Sequence, residues 1–244
     1  VQVENEVGTY GAARDFSETA EKVFAQTVPV DLTDKIGKKS GTWTTVFGED
    51  ADEFFHAYHI AVYVDAIAQA GKAAYNLPLY VNVALRNPFN PGKPGSYSSG
   101  GPTDNTLDLW KAAAPHIDML SPDIYFRDYK TVKKVMEIYA REDNPLYIAE
   151  IGNAQAYARY FFMALGHGAL GFAPFGMDYT DYFNYPLGAK TLDDETLSHF
   201  SELYALFAPW ASELSRMSCE GKVWGVAEPV DKQGDNIQIW KTQN

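Results

Sequence analysis

The sequence predicts an α/β fold on a parallel sheet, and more narrowly the later part of a (β/α)8 barrel. Three observations carry this expectation. Short β-rich apolar runs alternate with helical patterns along most of the chain, and every strand is followed by enough helix for a crossover. The inventory stops at five such units, stretched by long loops, although 244 residues approach the ~250 of a whole barrel.

In chain order, residues 1–5 form the first strand. A helix follows over 17–26, where Asp15 or Ser17 can cap the start and Pro29 lies beyond the end. The segment 37–48, holding Trp43, reads as a loop. A long helix runs over 50–75, with Phe54, Tyr58, Ala61, Val62, Asp65 and Ala68 at three- and four-residue spacing. The strand at 79–85 opens into N-P-F-N-P-G-K-P-G-S-Y-S-S-G-G-P, whose Pro and Gly content marks a long surface loop. The alternation continues with a helix at 105–114, a strand at 117–126, a helix at 129–141, a strand at 146–151, a helix at 154–166 and a strand at 169–175. One long helix spans 193–217. The segment 223–240 then changes style to two short strands around Pro229 and Gly234. Residues 1–218 therefore read as part of one α/β domain, and 219–244 as the start of a β-rich region. The chain opens directly on a strand at Val1, as a piece cut from a longer protein would, and the compartment stays open.

Composition narrows the function. With 20 Lys+Arg against 32 Asp+Glu the net charge is −12, which argues against nucleic acid or an anionic membrane surface as partner. A lone cysteine, Cys219, excludes a disulfide framework and a multi-thiolate zinc site. No apolar run approaches a membrane span, since the longest helix carries Asp65 and Gln69.

Two carboxylates stand out. Glu6 closes the first strand before Gly8, and Glu150 ends the run L-Y-I-A-E-I-G-N in the same relation to Gly152. Parallel strands bring their C-terminal ends to one face, where barrel enzymes place their active sites. Paired acids there suit glycoside hydrolysis: one protonates the leaving oxygen while the other attacks the sugar carbon. Two nearby negative charges also raise one pKa and keep that acid protonated. The competing reading is that strand-end carboxylates merely cap helices. Asn5, directly before Glu6, can hydrogen-bond a sugar hydroxyl. Glu4 points to the same side one layer deeper and reads as a buried structural acid.

V-Q-V-E-N-E-V-G-T-Y-G resembles the acid/base signature of glycoside hydrolase family 35, the β-galactosidases. The resemblance extends to about Met217, with the Asn-Glu pair its specific motif. It implies a barrel with the pair on the fourth strand and a nucleophilic Glu on the seventh, so that this chain would supply strands four to eight. Carried over, Glu6 is the acid/base, Glu150 the nucleophile and Asn5 a sugar ligand. Tyr125, closing S-P-D-I-Y-F, would donate its hydroxyl to the nucleophile. Many members place aromatic residues after the nucleophile, where this chain has Ile151, Gly152 and Asn153. Y-I-A-E-I-G-N and K-V-W-G-V-A-E-P are similar to a bacterial branch with an extra C-terminal β domain, some members of which act on galactosyl side chains of xyloglucan. The implied substrate is a β-galactoside; relatives of β-glucosidase or mannanase type, or a non-catalytic carbohydrate-binding remnant, remain the alternatives.

Further pocket candidates are Asn82 and Arg86, which leave the next strand at the same level. Trp43 and the loop 178–185, with Tyr179, offer rings that can stack on sugar faces. His56 and His59 lie three apart on the long helix without a second metal-binding cluster. A G-x-S-x-G elbow and phosphate-cradling glycine loops are missing. No metal or organic cofactor is expected, because carboxylates can supply both proton transfer and charge stabilisation.

Overall fold

The computed structural model describes residues 1–177 and 185–229. Its centre is a four-stranded, wholly parallel sheet in the order β1 (Tyr80–Ala84), β2 (Met119–Ile124), β3 (Tyr147–Ile151) and β4 (Gly171–Pro174). Each strand returns to the next through helix: α5 (Leu107–Ala113), α6 (Tyr129–Tyr139), then the pair α7 (Gln155–Ala158) and α8 (Tyr160–Gly166). Every residue of β2 is buried, as in a strand covered on both faces. The ladder aligns Ala84 with Asp123 and Asp123 with Glu150, so acidic side chains stand level at the C-terminal edge.

The expected first strand is reduced to one parallel bridge, Gln2 to Tyr80. The Val3 N–H donates to the Tyr80 carbonyl at 2.8 Å, and the Tyr80 N–H to that of Val1 at 2.9 Å. The ladder goes no further because Glu4 and Glu6 take left-handed backbone conformations, φ 59° and 45°, which an extended strand cannot contain.

Ahead of the sheet lie α1 (Glu18–Phe24), α2 (Val30–Lys35), α3 (Trp43–Phe47) and α4 (Ala51–Ala74). Ser17 caps α1, its hydroxyl accepting from the Ala20 N–H. α3 forms where a loop was expected: Thr42 caps it by accepting from the Thr45 N–H, and Gly48 ends it with φ 60°. Of the expected stripe in α4, Ala61 and Ala68 are buried, Phe54, Tyr58 and Asp65 half-buried and Val62 exposed, while Phe55, Ala57 and Val64 are buried beside them. Val62 is 41% exposed because it lies off the helix face that Ala57, Ala61, Val64 and Ala68 turn inward. The expected final helix is two, α9 (Asp194–Phe207) and α10 (Ala211–Cys219). A 3-10 turn at Ala208–Trp210 separates them, as Pro209 lacks the N–H and crowds the preceding turn. Residues 223–229 form no strand; the remainder of the expected β-rich segment lies outside the described residues.

The Pro/Gly-rich connection after β1 is only partly a surface loop, for Tyr97, Ser98, Ser99 and Thr103 are buried. A buried acid on α4 holds it there. Glu53, 1% exposed, accepts from the Tyr97 hydroxyl at 2.7 Å, the Asn105 amide at 2.8 Å and the Ser99 hydroxyl at 3.4 Å. Ser99 in turn forms a two-way backbone bridge with Thr9, at 2.9 and 3.0 Å. Gly8 packs so tightly on Ser98 that a Cβ there would lie 2.4 Å from its hydroxyl oxygen. α4 thus anchors the loop, and the loop anchors the segment carrying Glu6. Replacing Glu53 with Leu strands buried donors, each lost partner costing ~1–3 kcal/mol. Denaturant unfolding should show Glu53→Leu destabilised by about 3 kcal/mol or more, and an unchanged midpoint would contradict this anchoring role.

Candidate functional site

The site lies at the C-terminal edge of the sheet, and its geometry follows from one side chain. Asn82, on β1, is fully buried. Its Nδ2 donates to Asp123 Oδ2 at 2.8 Å, to Asn5 Oδ1 at 2.9 Å and to Glu150 Oε1 at 3.3 Å. Its Oδ1 accepts from the Glu6 backbone N–H at 3.1 Å and from Gln2 Nε2 at 3.0 Å. An amide nitrogen has two hydrogens, so three acceptors must share them and are drawn together. Gln2 braces the arrangement by donating to Asn5 Oδ1 at 3.0 Å and accepting from the Tyr80 hydroxyl at 3.1 Å.

Glu150 also accepts from the Tyr125 hydroxyl, at its Oε2, at 2.7 Å. Tyr125 sits just past β2 and is held from behind. The Tyr157 hydroxyl donates to the Tyr125 carbonyl at 2.8 Å and to that of Leu187 at 3.0 Å. Gly152 permits this approach, because a Cβ there would meet the Tyr157 ring at 2.2 Å. The glycine two residues after Glu150 therefore makes room for the residue that fixes Tyr125.

Glu6, Asp123 and Glu150 each place a carboxylate oxygen within 4.8 Å of the others. Among the described residues no ion pair reaches these three acids. Burial raises the Glu6 carboxyl above its ordinary value, the charge of Glu150 adds to the rise, and a hydrogen bond with Asp123 opposes it. Asp123 is pushed up to about 10, first by burial and then by the charges of Glu150 and Glu6. Tyr10, exposed at the rim, is also raised, by burial and then by the charge of Glu6. The strained φ of Glu6 belongs with these features, since such backbone persists where the surroundings over-determine it.

Of the candidates from the sequence, Asn5, Glu6, Asn82, Tyr125 and Glu150 come together here. Arg86 does not join them: it pairs with Asp104 at 2.5 and 3.0 Å and donates to the Tyr97 hydroxyl at 3.3 Å. Trp43 is no sugar platform. It is 2% exposed, stacked on Phe47 and edge-on to Phe55, because α3 folds it into the helical layer. Glu4 is exposed rather than buried, since its left-handed φ turns the chain out of the strand before the expected alternation can apply. Tyr179 and residues 178–184 lie outside the described residues. Asp123 joins Glu6 and Glu150 without being among the sequence candidates. Its signal was an acid inside a buried run, two residues before Tyr125 and therefore on the same strand face.

Three carboxyls at this spacing offer oxygens that a cation would accept. Asn82 and Tyr125, however, already aim N–H and O–H donors at two of them, which offsets part of the negative charge a cation would meet. Linkage gives a test of the electrostatics. Between the ordinary Asp value of 3.8 and about 10, native Asp123 keeps a proton that the unfolded chain has released. Folding stability contributed by this group therefore falls as pH rises through that window. Wild-type stability should drop relative to Asp123→Asn by up to ~1.4 kcal/mol per pH unit, read from denaturant unfolding at about pH 5 and about pH 8. Wild-type stability that holds level or rises relative to Asp123→Asn between these two pH values would contradict the assigned direction. No protein-family model matches the chain, and no curated sequence matches it.

Proposed function

We propose that the chain carries the acid pair of a retaining glycoside hydrolase that releases terminal β-galactosyl residues from oligo- or polysaccharides, galactosylated xyloglucan among them. The observation that carries the reading is the closeness of Glu6 and Glu150, one carboxylate oxygen of each lying within 4.8 Å of the other's, which supports a direct-attack geometry over one that admits a water. Retaining enzymes hold their carboxyl groups ~5–5.5 Å apart, whereas inverting ones need ~6.5–9.5 Å to admit a water between them. The four-stranded parallel sheet, with its helical crossovers, is compatible with part of a (β/α)8 barrel, and the acids sit at the edge where such folds carry their chemistry.

In this mechanism Glu150, oriented by Tyr125 and Asn82, attacks the anomeric carbon and forms a glycosyl ester. Glu6, raised by burial and by the charge of Glu150, stays protonated long enough to give its proton to the departing oxygen. Once the ester forms, the charge on Glu150 is gone and the Glu6 carboxyl becomes more acidic. It then takes the proton of the incoming water, which attacks the same carbon and frees the sugar with its configuration kept. Asn5 lies at the mouth, where its amide can reach a ring hydroxyl. The galactose preference rests on the motif V-E-N-E-V-G; the hydrolytic chemistry rests on the acids.

Removing Glu6 should affect substrates unequally. Glu6→Gln should lose ~10²–10⁴-fold in kcat/KM on sugars with poor leaving groups, yet far less on dinitrophenyl galactoside, whose departure needs no proton. Glu150→Gly should lose activity on both. A 2-fluoro-galactosyl fluoride should label Glu150, read by peptide mass spectrometry. Equal losses on both leaving groups for Glu6→Gln, or label on another residue, would contradict the roles assigned.

A further inference from the structure

The roles of Glu6 and Glu150 leave the third acid unexplained. Asp123 is 2% exposed and stands in register with Glu150 on the neighbouring strand. Its Oδ2 accepts from Asn82. Its Oδ1 is buried and meets no N–H or O–H donor among the described residues. What lies beside it are the carboxyls of Glu6 and Glu150, a carboxylate oxygen of each within 4.8 Å.

Two ionised carboxylates cannot hydrogen-bond, because both only accept. A bond between them requires a proton on one, and the more deeply buried member is the one that gains most from being neutral. We propose that Asp123 is a positioning residue of the site, carrying a proton on Oδ1 at neutral pH and donating it to Glu6. The proposal rests on Glu6 being the acid/base. The elements around Asp123 bring Glu6, Glu150 and Asn82 against it, with the hydroxyls of Tyr80 and Tyr139 within its electrostatic reach; among the described residues no cation pairs with it. The upward push from burial and from its two acidic neighbours agrees with a neutral Asp123.

This role has a consequence for the acid/base. A neutral donor favours ionised Glu6 and so restrains the rise that burial and Glu150 impose, leaving Glu6 acidic enough to be deprotonated again in the second half of the reaction. An ionised Asp123 would do the opposite and push Glu6 further up. The two states predict shifts of opposite sign.

The test uses the full chain in two arms. Infrared difference spectra should show the carbonyl band of a protonated carboxylic acid at neutral pH that disappears in Asp123→Asn. This arm needs no turnover, so loss of the glycosidase reading leaves it intact. In the second arm the alkaline limb of the kcat/KM profile on an aryl β-galactoside should keep its position in Asp123→Asn, whose amide N–H replaces the lost O–H. In Asp123→Leu, which keeps the site dry but donates nothing, the limb should move up, with Glu6 roughly tenfold less acidic. If Asp123→Leu fails to fold, the infrared band and the Asp123→Asn profile decide. Absence of the acid band, or a limb that moves down in Asp123→Asn, would overturn the proposal. An acid band in a chain that hydrolyses no glycoside would instead overturn the function and leave the protonation standing.

Discussion

One buried amide organises this molecule's cluster of acids. Asn82 lies in the middle of β1 with no exposed surface, and both ends of its side chain are occupied by groups from distant parts of the sequence. Its oxygen fixes the backbone of Glu6, and its nitrogen draws in Asn5, Asp123 and Glu150. A neutral amide is the group that can do this among several acids. A cation would neutralise the negative charge that the proposed chemistry requires, and another carboxylate would add repulsion. Removing it would leave buried acceptors without a donor and let the acids separate.

The second constraint is the route by which Glu6 reaches that amide. Its backbone leaves the sheet after a single bridge and turns left-handed twice. Nothing in the local sequence makes that favourable for glutamate. Support comes from a distance: Glu53 on α4 pins Tyr97 and Ser99, Ser99 pairs with Thr9, and Gly8 lies against Ser98. A helix laid down far from the acids in sequence therefore fixes one of them, and the pair is only as well placed as that chain of contacts.

Much of this was legible in the sequence because it depends on short-range patterning. The alternation of apolar runs and helices located β1 to β4 within one or two residues, and strand-end position singled out Glu6, Tyr125 and Glu150, whereas Asn82, expected to leave its strand at that level, sits in the middle of β1. The errors have a common cause, which is that tertiary contacts override local pattern. Trp43 looked like a loop aromatic until Thr42 and Gly48 bounded a short helix that buries it. Arg86 sat at the right level but found Asp104 and Tyr97. Alternation assigned Glu4 to the interior, an inference that holds only while φ stays negative. Asp123 escaped notice because an acid in an apolar strand says that something must satisfy it, without saying what.

The proposed reading stands on two acids, Glu6 and Glu150, with a carboxylate oxygen of each within 4.8 Å of the other's. That distance has a chemical signature, the configuration of the first sugar released. Proton NMR of an aryl β-galactoside during the first minutes of hydrolysis, before the free sugar mutarotates, reads it directly. Initial formation of the β-anomer is the predicted result. Initial formation of the α-anomer would place a water between Glu6 and Glu150 and contradict the arrangement described here.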